Sequence, residues 1–157
     1  MLHAQLCSAI VGFTVPRTLV GRNPSYDSED DQLAIRSGRL DEKDPWPGLV
    51  VAVPSITFDG DLSGRAAWGN ATVEVRALAL SLLEAWRLAL AVAFDGGTPN
   101  DPARTSGLDG FKDSSKGIRS CRLTGSTEAE IPGDRADDRP LYVVELTFAV
   151  EFVPRLI

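Results

Sequence analysis

The clearest pattern in the chain is an alternation of apolar and polar residues close to its C-terminal end. One set of alternate positions contains Glu145, Thr147 and Glu151. The other set is entirely apolar and consists of Tyr142, Val144, Leu146, Phe148, Val150 and Phe152. Because successive side chains of a strand point to opposite faces of a sheet, this period predicts a strand with one buried face. We expect this strand to be central to the core.

Three further segments have the composition or the period of strands. Residues 49–53 are rich in β-branched side chains, and residues 56–58 are a candidate continuation beyond Pro54. Residues 71–78 alternate between apolar and polar side chains, which indicates a sheet with one buried face. A third strand is expected from residue 118 to about residue 124, with residue 131 as a candidate end.

A helix is predicted directly after the second of these strands. Ser81 and Glu84 form a capping box, in which the serine hydroxyl accepts the third amide of the helix. The sequence Asp95-Gly96-Gly97 should end the helix, because glycine adopts the left-handed conformation at little cost. We expect the face that packs on the sheet to consist of Leu82, Leu83, Trp86, Leu90, Ala93 and Phe94.

The connecting segments are polar and lack a sustained period. Residues 21–47 are predicted to be an extended acidic connection, residues 98–117 a mobile loop, and residues 132–140 a charged turn. Residues 2–11 fit either a short helix or a strand. The whole chain, residues 1–157, is therefore expected to be a single α+β domain. Its mostly antiparallel sheet of about four strands would be packed by one main helix over about residues 81–95.

Composition and charge exclude several classes of function. The 157 residues carry a net charge of −6, and the acidic groups cluster in two N-terminal segments, which disfavours sequence-independent DNA binding. No apolar run approaches the length that crosses a bilayer, and the N-terminus lacks the basic region of a signal peptide. Synthesis in the cytoplasm is expected. Two cysteines, Cys7 and Cys121, are too few for a disulfide framework.

Residues that usually perform catalysis are scarce. His3 is the only histidine, and Cys121 has no local activating motif. The acidic segments do not follow the pattern of a calcium-binding loop, and no glycine cluster matches a nucleotide-binding motif. We therefore expect no catalytic residues, no cofactor and no metal.

The order of elements resembles a known family. It runs strand, strand, capped helix, long polar loop, strand and final strand, with WGNATVEVRA at residues 68–77 and LYVVELTF at residues 141–148. Over about residues 48–153 it resembles the tail-terminator, or tail-completion, proteins of long-tailed phages and phage-like gene transfer particles. The resemblance implies a mixed α+β fold and a structural role without a reaction.

The resemblance also implies partners and a location. Such proteins form a ring, typically of six copies, at the head-proximal end of the tail tube, where they contact the tail tube protein and the head connector or neck protein. The protein would be part of the virion, and DNA would pass through the ring without specific binding. On this basis the acidic side chains are candidates to face the lumen or a partner; they are Asp27, Glu29, Asp30, Asp31, Asp41, Glu42 and Asp44.

Two other classes of function remain open on the sequence. One is a module that binds a small ligand or a peptide, which would have a defined apolar pocket. The other is a small metal-dependent enzyme that uses acidic residues, which would lose activity on chelation.

Overall fold

The computed structural model of the protein describes residues 2–60, 66–96, 107–133 and 139–154. The described helices are α1 (Leu2–Val11), α2 (Thr14–Leu19), α3 (Glu29–Gln32) and α4 (Leu82–Phe94), with a short 3-10 helix at Ser114–Lys116. The described strands are β1 (Ile35–Ser37), β2 (Gly48–Gly60), β3 (Ala66–Ala79), β4 (Ile118–Ile131) and β5 (Leu141–Phe152).

The strands form one sheet in the order β1-β2-β3-β5-β4. β1 is parallel to β2, and the other three pairs are antiparallel. The predicted α+β class is confirmed, although the sheet has five strands and one parallel pair. The parallel strand was missed because its three residues lie within the acidic N-terminal connection, where they are too short to show a period.

The core lies between one face of the sheet and helices α1 and α4. Val73 and Val75 of β3 and Leu146 and Phe148 of β5 are at most 1% exposed on this face. The alternation predicted for the last strand is confirmed, because its five buried residues are Val144, Leu146, Phe148, Val150 and Phe152. The opposite face of the sheet carries no described helix.

Helix α4 begins and ends where the sequence predicts. The hydroxyl of Ser81 accepts the amide of Glu84 at 3.2 Å, and Asp95 follows the helix in the left-handed conformation. Asp95 also joins two helices, because its carboxylate accepts the amides of Thr14 (3.3 Å) and Val15 (2.7 Å) at the start of α2.

The prediction of which face of α4 packs on the sheet is wrong, because the helix is rotated about its own axis relative to the predicted orientation. Leu83 is 61% exposed and Leu90 is 46% exposed, while Ala93 and Phe94 are buried as expected. The face that packs on the sheet is instead centred on Ala85, Leu88, Ala89 and Val92. Alanines allow the helix backbone to approach the sheet closely, so the larger leucines are left outside.

The N-terminal third is more structured than the sequence predicts. Residues 2–11 form a helix, with Leu6 and Ile10 fully buried. Residues 21–47 are not merely an extended connection, since they contain α3 and β1 and bury Leu33 and Ala34 completely. A few buried residues without a regular period are therefore sufficient to pack this segment against the core.

Part of the loop predicted over residues 98–117 packs against the body of the protein. Residues 97–106 lie outside the described residues, but Leu108 is fully buried and its amide donates to Val92 at 2.8 Å. Residues 134–138 of the predicted charged turn also lie outside the described residues.

Candidate interaction surfaces

The acidic segment at residues 41–44 is held against the body of the protein by Arg36. Both carboxylate oxygens of Asp44 accept from this guanidinium, at 2.9 and 3.0 Å, and Asn23 donates to the same carboxylate at 3.0 Å. The Asp44 side chain is fully buried. Burial favours a higher pKa for Asp44, but the hydrogen bonds from Arg36, Asn23 and the Asp41 amide outweigh it and hold the pKa below 3.8. Asp44 therefore organises this segment and is closed to a partner.

The acidic segment at residues 27–31 has a separate local arrangement. Arg17 forms an ion pair with Asp30 and lies 3.9 Å from Glu29, and the Ser28 hydroxyl caps α3 by accepting the Asp31 amide at 3.1 Å. The structure thus attaches the two acidic segments to two different arginines. The exposed members of the predicted set remain candidates for an interaction and are Asp27, Glu29, Asp30, Asp31, Asp41 and Glu42.

The described residues contain no group of three or more histidine, cysteine, aspartate or glutamate side chains that could hold a metal. The thiols are also shielded: burial raises the pKa of Cys7 to about 11 and that of Cys121 to about 12. Within the described ranges no helix is both long and apolar enough to cross a membrane.

Strand β4 lies at one edge of the sheet and is covered over only half of its length. The preceding segment hydrogen-bonds to its outer edge at three places, which join Asp113 to Ile118, Gly110 to Cys121, and Asp109 to Leu123. Residues 124–131 are exposed, and no described strand pairs with their outer edge. Unpaired strand edges of this kind are sites of association with another chain.

Strand β2 has a second open edge. β1 covers only residues 49–51, so the outer edge of residues 52–60 pairs with no described strand. Ile56 is 43% exposed and Phe58 is 58% exposed, and Asp59 is the only charged residue of this segment. Charges, proline and bulges usually protect such an edge; here Pro54 and the register shift between Ala52 and Ser55 interrupt its start, and the stretch that contains Ile56 and Phe58 remains apolar and open.

An apolar groove of about 290 Å³ lies along the helix-covered side of this β2 edge; its lining includes Leu2, His3, Ile56, Phe58, Phe152 and Pro154. The rings of Phe58 and Phe152 meet edge to face at 6.2 Å, on either side of Gly69 in β3. A Cβ at Gly69 would collide with the Phe152 ring at 2.5 Å, so the glycine allows this ring to lie over β3 beside Phe58.

A second apolar patch lies at the opposite corner of the sheet, beside the open half of β4. It consists of Leu82 and Leu83, which are 36% and 61% exposed. Leu82 lines a shallow depression with residues 128–130 of β4, and the indole of Trp86 donates to Glu128 at 2.7 Å. We call Leu82 and Leu83 the α4 corner. It was missed because both residues were assigned to the core.

The helix-free face of the sheet is polar and internally paired. Arg76 contacts Glu145 and Glu74, each at 2.7 Å, and Arg119 contacts Glu151 at 2.9 Å. The Arg76–Glu145 and Arg119–Glu151 pairs join neighbouring strands, which fits the register of the sheet, whereas Glu74 and Arg76 lie two residues apart on β3. The face therefore presents charge that is largely balanced.

No model of a known protein family matches the sequence, and no curated protein matches it significantly. The arrangement of edges, patches and charges is thus the basis on which a function can be inferred.

Proposed function

We propose that the protein is a structural assembly protein, without catalytic activity or cofactor, that closes into a ring of the tail-terminator type. The observation that carries the proposal is that two strand segments at opposite edges of one sheet, residues 52–60 of β2 and residues 124–131 of β4, have outer edges that pair with no described strand. A contact between two different surfaces repeats from copy to copy and can close a ring.

The directions of the two edge strands are compatible with such a contact. β2 and β4 run in opposite directions, because three antiparallel pairings separate them. When identical copies are arranged around an axis along the strands, β4 of one copy meets β2 of the next in antiparallel orientation. The junction would continue the hydrogen-bonding pattern of the sheet itself.

The positions of the two open segments suit a closed barrel of tilted strands. Ala52, Glu74, Thr147 and Gly125 lie on one line across the sheet, and the open segments extend from this line in opposite directions. In a barrel the strands lie about 4.8 Å apart and are tilted by about 35–45° to the axis. At that tilt, crossing four strands shifts the position along the strand direction by about four to six residues. That displacement brings residues 52–60 of one copy beside residues 124–131 of its neighbour.

The two faces of the sheet assign the inside and the outside of the ring. The helix layer needs the wider outer radius, so the polar face with Arg76, Glu74 and Glu145 lines the lumen. Paired charges there would neither retain nor strongly repel passing DNA. We place the ring, of six copies by the resemblance, in the virion at the head-proximal end of the tail tube. Its two rims would contact the tail tube protein and the neck or head-connector protein.

Cysteine cross-linking between copies tests this proposal. Facing residues must lie on the same side of the joined sheet, so Ser126 should face Phe58 or Ile56 of the next copy. We expect the variant with Ser126→Cys and Phe58→Cys, or with Ser126→Cys and Ile56→Cys, to form a disulfide-linked ladder that ends at the ring size. Light scattering should give the same mass for the unmodified protein.

Thr57→Cys combined with Ser126→Cys is the matched control. Thr57 is on the same strand segment but faces the other side of the sheet, so this pair should not cross-link. A protein that stays monomeric at every concentration, with no ladder from either test pair, would contradict the proposed function.

A further inference from the structure

We infer that the α4 corner of one copy docks into the apolar groove at the β2 edge of the next copy, so that each ring contact joins side chains as well as strand edges. This inference rests on the proposed function and specifies its interface.

The first step is that the patch and the groove lie on the same side of the sheet. Ile56 is opposite Ala71 in the register, on the side that the helices cover. Glu128 is opposite Val144 on that same side, and its bond to Trp86 places the start of α4 directly above the open half of β4. Antiparallel addition of β4 to β2 of a neighbour therefore brings the α4 corner towards the groove.

The second step is that each feature borders one of the two open strand segments. The groove lies along residues 52–60, and Leu82 lies beside residues 128–130. The strand edges and the apolar patches are separate properties of the chain, yet both occur at the same two opposite corners. A second copy of the chain is the partner that would supply both the complementary strand edge and the complementary apolar patch at each corner.

The third step concerns the size of the contact. A stable interface usually buries roughly 800 Å² on each partner, and large apolar side chains at its centre contribute most of the affinity. One pair of short strand segments supplies mainly backbone hydrogen bonds. Leu83 and Phe58, at 61% and 58%, have the highest exposed fractions among the large apolar side chains of the described residues.

Leu83→Glu tests the inference with little risk to folding. Residue 83 lies in the first turn of α4, where a carboxylate is favourable, and its side chain makes few packing contacts. We expect the concentration needed for half-assembly to rise at least about tenfold, because a charge would enter an apolar groove. The melting temperature of the monomer should change little.

Leu90→Glu is the matched control, because Leu90 is an exposed leucine of the same helix, about two turns beyond Leu83. This variant should assemble like the unmodified protein. Adding Phe58→Lys to Leu83→Glu should restore assembly, since the introduced charges would meet across the contact. A general loss of apolar surface would not be rescued in this way.

The outcomes separate this inference from the proposed function. If the Ser126 cross-link forms and Leu83→Glu assembles normally, the ring stands and the docking of the α4 corner is wrong. If the protein never associates, both are wrong. If Leu83→Glu and Leu90→Glu weaken assembly equally, or if Phe58→Lys gives no rescue, the groove has a different occupant, such as a peptide of another protein.

Discussion

At the scale of single residues, Asp44 has the largest consequence for the N-terminal third. Its fully buried carboxylate accepts hydrogen bonds from Arg36, from Asn23 and from the backbone amide of Asp41. These contacts connect the end of the acidic segment to β1, which in turn covers the first residues of β2. The open length of the β2 edge is therefore set partly by this one side chain.

We predict that Asp44→Ala lowers the free energy of unfolding by about 3 kcal/mol, because it leaves the largely buried guanidinium of Arg36 without its carboxylate partner. Asp41→Ala is the control: that side chain is 49% exposed and lies 3.9 Å from Arg36, so less than about 1 kcal/mol should be lost. Urea denaturation of both variants measures the difference. Equal effects would show that the ion pair does not hold the segment.

The pKa of Asp44 gives this contact a pH dependence. A carboxyl group whose pKa is lower in the folded state stabilises the fold above its unfolded pKa, and the stabilisation disappears as pH falls through the folded value. The contribution of Asp44 should thus be complete above about pH 4 and decline below it. The unmodified protein should lose stability over this acid range more steeply than Asp44→Ala.

The two native thiols should be unreactive in the folded protein. With pKa values of about 11 and about 12, Cys7 and Cys121 are almost entirely protonated at pH 8. We expect neither to react with an aromatic disulfide reagent until the protein is unfolded, whereas a cysteine at the exposed position 126 should react at once. Rapid reaction of a native thiol would contradict the described burial and would complicate the cross-linking test.

At the scale of elements, β5 contributes an unbroken row of buried side chains to the core and pairs with a strand on each side. It lies between β3 and β4, and Phe148 is fully buried opposite Val73 and Leu123. We predict that Phe148→Asp abolishes cooperative folding, since an unpaired carboxylate cannot be buried there. Ala149→Asp, on the exposed face of the same strand, should fold and melt close to the unmodified protein. A soluble, cooperatively melting Phe148→Asp variant would refute the placement.

Helix α4 shows why one apolar stripe can be mistaken for another. Its sequence is apolar on nearly every side, so the spacing of Leu83 and Leu90 competes with that of Leu88 and Val92. A helix that is apolar all round usually has more than one buried surface. The excess of apolar residues therefore agrees with the second contact that we propose for α4, although it did not say which side faces the sheet.

At the scale of the whole molecule, the fold combines a well-packed interior with two incomplete edges. Residues 109–113 cover the N-terminal half of β4, and β1 covers the N-terminal end of β2. The uncovered halves lie at opposite corners, and each has an apolar patch on its helix side. Under the proposed function, this partial cover selects where neighbouring copies attach and prevents unrestricted pairing of the edges.

The sequence by itself determined the class of the fold, the strands with a clear period and both ends of α4, because alternation and capping depend on residues close together in the chain. It did not determine β1, the rotation of α4 or the cover of β4 by residues 109–113. Each of these depends on contacts outside the local period of the sequence, such as the pairing of Ile35 with Leu49 or the bond between Asp109 and Leu123. Only the tertiary structure could decide which strand edges and which leucines remain open, because exposure is a property of everything packed around a residue.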